Sequence, residues 1–104
     1  MRKKYLPIGS IVALKNMDLK IMIVGFFVTK EEDNNKVFDY NGCVYPQGFF
    51  STDGYILFDH EDIEKIYFVG YQDEENTKYH EYLKEINKEE IKENNNENLE
   101  SEQQ

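Results

Sequence analysis

The sequence predicts a mainly β, α+β domain: a small, strongly bent antiparallel sheet or SH3-like barrel of five or six strands, followed by a C-terminal amphipathic helix. Three observations predict it. Short β-branched and aromatic runs recur over the first two thirds of the chain, separated by Gly, Pro, Asn and Asp signals. After Asp73 the apolar spacing changes to three, four and five residues. The chain has 104 residues, enough for one domain and no more.

The elements follow in order. Pro7 and Gly9 punctuate LPIGS, and Ile11, Val12, Ala13 and Leu14 then form a short apolar strand. NMDLK is a turn. KIMIVGFFVT is the strongest strand signal, β-branched and aromatic, and Gly25 in its middle marks a bulge or sharp bend. KEEDNN is a solvated loop. Residues 37–40 alternate before Asn41-Gly42, a favoured tight-turn pair, and Asp53-Gly54 signals another turn. YILF is a strand. DHEDIEKI has acids where a single helical turn wants them, and IYFVG closes the sheet.

From Asp73, the residues Tyr79, Tyr82, Leu83, Ile86 and Ile91 make a narrow helical stripe, with Asp73, Glu74 and Glu75 suited to the helix start. Beyond Glu93 the run NNNENLESEQQ has almost nothing to bury. The expected organisation is therefore a β domain over 1–72, an acidic amphipathic helix over 73–93 and a disordered acidic tail over 94–104.

Charge bears on partners. The net charge is −9. Eleven acids against four lysines from Asp73 onward give −7 of it; ten acids against eight bases before that give −2. Phosphate backbones need clustered Lys and Arg, and the basic cluster here is Arg2-Lys3-Lys4 at the chain start, so nucleic acid is not an expected partner. The longest apolar stretch, IMIVGFFV, is far short of the roughly 20 residues that span a bilayer. One cysteine allows no internal disulfide, and no signal peptide is visible, which together predict a cytoplasmic location without membrane attachment.

Chemistry has few candidates. Asp59-His60-Glu61-Asp62 is the densest set of metal donors, but adjacent residues splay in different directions, so the cluster reads as the cap of a turn. Cys43 lacks a base or a positive neighbourhood and reads as a small buried hydrophobe rather than a nucleophile. No phosphate loop, nucleophile elbow or zinc spacing is present. The expectation is a protein without catalytic residues, cofactor or metal.

The aromatics say more. Tyr40, Tyr45, Phe49, Phe50, Tyr55, Phe58, Tyr67, Phe68 and Tyr71 are more rings than so small a core encloses, so several are expected at the surface, where such rings mark protein contacts. Within YPQGFF, proline and glycine exclude a regular interior strand, and exposure is the expectation. The candidate contact residues are Tyr40, Tyr45, Pro46, Phe49, Phe50 and Tyr71, together with the helix stripe Tyr79, Tyr82, Leu83 and Ile86. That stripe either covers the chain's own sheet or pairs with a partner.

The series LPIGSIVALK, IMIVGF, FDYNGCVYPQG and FDHEDIEKIYFVGYQDEE, running from Leu6 to about Glu75, resembles a family of small proteins encoded in Gram-positive bacteria beside type VII secretion genes and LXG-type toxins. The family pattern runs LPIGSVV.L, M.IGF, Y.G..YP.G and F.H.DI..V.F.GY.DEEE; Ile66 stands where it often has Val. The resemblance implies a cytosolic accessory or chaperone-type protein with no catalytic residues, binding a secreted toxin or a small helical targeting protein. The alternative is an immunity protein whose acidic surface masks a basic toxin.

Overall fold

The computed structural model describes residues 5–29, 36–51 and 54–86. Five strands form one antiparallel sheet: β1 (Ile11–Leu14), β2 (Lys20–Thr29), β3 (Val37–Tyr45), β4 (Ile56–Phe58) and β5 (Ile63–Phe68), in the order β4-β3-β2-β1-β5. The sheet stays open. Of the two shapes the sequence allows, it takes the bent sheet and not the closed barrel, because β4 is three residues long and pairs with β3 alone.

One face of the sheet carries the core. Val12 lies opposite Ile21, and these two pack with Leu14, Ile23, Tyr40 and Phe58, all buried. The bend has a visible cause. Ile23 pairs with Gly42 but Gly25 pairs with Asn41, so Val24 is an extra residue in β2. The bulge falls beside the glycine that signals it, and Phe27 follows at φ 52°. Curled this way, the sheet wraps its inner face around a core that Tyr5, Leu6, Phe26, Val44, Ile56 and Ile63 complete.

The second expected turn is not there. Asn41-Gly42 lies within β3, which runs unbroken from Val37 to Tyr45. The chain reverses instead at Pro46 to Gly48, where the Gly48 N–H donates to the Val44 carbonyl at 2.7 Å and Gly48 takes φ 79°. Gly42 serves packing: a methyl group there would meet Ile21 Cγ2 at 2.6 Å and the Met22 carbonyl at 2.8 Å.

The single helical turn forms over His60–Asp62 as a 3-10 turn. Asp62 Oδ2 accepts the Asp59 N–H at 2.9 Å, and the Asp62 N–H donates to the Asp59 carbonyl at 2.9 Å. The helix α1 spans Glu74–Glu85, and Asp73 caps it by accepting the Asn76 N–H at 2.9 Å. Ile86 has left helical geometry, so the described helix is shorter than the 73–93 expected; the rest of that stretch and the 94–104 tail lie outside the described residues. Among the described residues no helix is long and apolar enough to cross a membrane.

Candidate protein-contact surface

The motif residues separate into two groups by what their side chains touch. The first group ties distant parts of the chain together. Gly70 donates its N–H to Ser10 Oγ at 2.9 Å in a buried bond across sixty residues of sequence. The Gly9 N–H donates to the Ile23 carbonyl at 2.8 Å, so LPIGS hooks onto β2 before β1 begins. Tyr40 joins three elements: its hydroxyl accepts the Leu6 N–H at 3.0 Å and lies 2.7 Å from His60 Nδ1. The phenol can give or take a proton in its second bond, so the Tyr40–His60 contact closes in either imidazole tautomer. Burial, above all, pushes the Tyr40 phenol above its ordinary range, so it stays protonated.

The carboxylates finish this junction. Asp39 Oδ2 accepts the His60 N–H at 2.8 Å, while Asp59 holds the Asp39 N–H with Oδ1 at 3.0 Å and Lys36 Nζ with Oδ2 at 3.0 Å. His60 and Asp62 therefore work as parts of a cap and a strand junction. Among the described residues no three His, Cys, Asp or Glu side chains converge on one point. Cys43 is buried opposite Met22.

These contacts correct one expectation. Tyr40 is 0% exposed and offers no surface to a partner, because its ring stacks on Phe58 at 5.2 Å and its hydroxyl is spent inside. Replacing Tyr40 with Phe leaves the Leu6 N–H and the His60 ring nitrogen unpaired, and a loss of about 2 kcal/mol is expected in urea unfolding. An unchanged midpoint would show that the three-way junction contributes nothing.

The second group faces outward. Tyr71 is 80% exposed and Phe50 is 72% exposed. Tyr45, Pro46 and Phe49 are exposed as well, and Phe49 stacks on Tyr55 at 4.6 Å to make a ledge beside the Pro46–Gly48 reversal. The sequence reasoning left Tyr55 out of the contact set, and also the exposed run of Ile66, Tyr67 and Phe68 on β5 with Val69 just after it. A four-residue apolar run without alternation, at the last strand, was the available signal for an edge open on both faces.

The helix docks on its own sheet. Leu83 is buried, so it too leaves the contact set, while Tyr79 and Tyr82 stay about half exposed and Ile86 is partly covered. Phe26 anchors the docking, with its ring 5.1 Å from His80 and 5.9 Å from Tyr79. Desolvation lowers the His80 pKa below its ordinary 6.5, with Lys84 acting in the same direction and a hydrogen bond to the Tyr5 backbone opposing both. The folded state thus prefers neutral His80. Its contribution is present above pH 6.5 and is lost as the pH falls below that value, through the lower folded-state pKa. In His80→Phe, which keeps a ring against Phe26, thermal stability is expected to fall less between pH 7 and pH 5 than in the parent. Equal losses in both proteins would remove His80 from the account.

A model of one protein family matches residues 5–79, from the first described residue through all five strands into the helix. The chain belongs to the DUF4176 family, described as a domain of unknown function. The DUF4176 match contains both groups of motif residues and stops within α1. Comparison with curated proteins returned no match, and comparison with solved structures returned none either.

Proposed function

We propose that this DUF4176 protein is a non-enzymatic accessory or chaperone-type protein of the cytoplasm that binds a type VII secretion substrate. An LXG-type toxin or a small helical targeting protein is the partner. The observation that carries the reading is the set of rings left outside a formed core: Tyr45, Phe49, Phe50, Tyr55 and Tyr71 have free surface although the sheet is complete. Phenyl and phenol groups in water cost free energy that a partner recovers, about 25 cal/mol for each Å² covered. The motif series supports the class of partner.

Co-expression with an LXG-type toxin and with a small helical targeting protein tests the proposal: a stable complex containing the toxin's export region is expected. Elution as a monomer, with neither protein bound, would count against it. The net charge of −9 favours one second reading, immunity against a basic toxin. Rescue of cells expressing the toxic domain alone would support immunity; binding to the export region without rescue would support the accessory role.

A further inference from the structure

An open cleft of about 520 Å³ lies between the β1–β2 turn and β5. Its floor is Ala13, its apolar wall is Met17 and Leu19, and Lys20, Lys65 and Tyr67 close the far side. The register explains the hollow. Lys20 pairs with Ala13 and Ala13 pairs with Lys65, so two long side chains flank one methyl group on the same face of three adjacent strands. Tyr67 is the extra residue between the Ile11–Phe68 and Val12–Ile66 pairs, and its ring lies beside that row.

The two lysines set the chemistry. Each ammonium group sits 4.8 Å from the centroid of the Tyr67 ring. Neither has a carboxylate within ion-pair distance among the described residues, although Asp18 and Glu64 also line the cleft. Two like charges gathered on one ring repel each other. A carboxylate between them removes that repulsion and gains charge-assisted hydrogen bonds. The exposed side chains of Met17 and Leu19 give an apolar neighbour of that carboxylate a place to sit. Asp18 and Glu64 balance the lysines over the cleft as a whole, and the positive charge is local to the Tyr67 ring, where both ammonium groups gather.

We propose that this cleft binds an acidic segment of the protein partner, one carrying a carboxylate flanked by aliphatic side chains. The inference rests on the binding reading above and gives that partner a recognisable chemistry. The probe is a fluorescein-labelled peptide of alternating leucine and glutamate with blocked ends, compared by anisotropy with its leucine–glutamine counterpart. The full chain is expected to prefer the glutamate peptide by about tenfold, the size of one to two good ion pairs. K20Q/K65Q is expected to lose the preference while keeping its melting temperature.

Equal binding of the two peptides by the parent chain, no binding of either, or a preference that survives K20Q/K65Q would each overturn the proposal. The two readings fail separately. A chain that captures its co-expressed partner but shows no glutamate preference loses the cleft and keeps the accessory role. A chain that shows the preference but captures neither co-expressed protein keeps the cleft and loses that role.

Discussion

Gly70→Ala is expected to lose about 3 kcal/mol or more of stability, which for a domain of this size lowers the melting temperature by about 15 °C. The new methyl group would fall within the shell of the Ile8 carbonyl oxygen, with the Ile8 carbonyl carbon and the Ser10 nitrogen each 2.9 Å away. All three are backbone atoms, so no rotamer change relieves the overlap. Moving the strand end outward breaks the buried Gly70 N–H bond to Ser10 Oγ as well. A domain whose whole stability is of order 5–10 kcal/mol cannot absorb that cheaply. Thermal melting by circular dichroism measures it, and a shift of only a degree or two would mean that LPIGS does not press against the end of β5.

Gly42→Ala tests the middle of the sheet. Propensity alone says that alanine should help, by about 0.5–1 kcal/mol, since glycine weakens a strand through chain entropy. The contacts say otherwise. The added carbon would meet Ile21 Cγ2 at 2.6 Å, the Met22 carbonyl at 2.8 Å and the Phe58 ring at 3.2 Å. Ile21 is fully buried and stiff at χ1, so it has nowhere to turn. The clash outweighs the propensity, and a net loss of about 2 kcal/mol is expected in urea unfolding. A neutral or stabilised Gly42→Ala protein would show that Ile21 and Phe58 do not press on that position.

That residue also shows where sequence reasoning runs out. Asn41-Gly42 has the chemistry of a hairpin turn, and nothing local says that β2 will cross the chain there and press Ile21 against it. Gly25 was legible because a glycine inside a strong strand has few uses other than a bulge or bend, and the register slips beside it. Asp59 to Asp62 was legible because caps are local, and their hydrogen bonds span three residues. The choice between open sheet and closed barrel was not, since closure depends on whether a three-residue β4 finds a second neighbour.

The contact set divides for the same reason. Tyr45 to Phe50 surround a proline and a glycine that forbid interior strand, and exposure followed. Tyr40 looks no different in sequence, yet it points into the bend, where Leu6 and His60 claim its hydroxyl. In the helix stripe, Tyr79, Tyr82 and Leu83 share one apolar pattern, and only the position of Phe26 and the sheet behind it decides that Leu83 is the one covered. Side-chain burial in so small a domain is set by long-range geometry.

The central claim is that the rings outside the core bind protein and do nothing for the fold. Its most direct test is the Phe50→Ser/Tyr71→Ser protein, co-expressed with the proposed toxin partner and compared with the parent for both melting temperature and captured toxin. Both rings are mostly in water, so stability should change by less than about 0.5 kcal/mol for each substitution, while capture falls by about tenfold or more, as loss of two aromatic anchors requires. Full capture by an equally stable variant would contradict the account, and so would a large loss of stability.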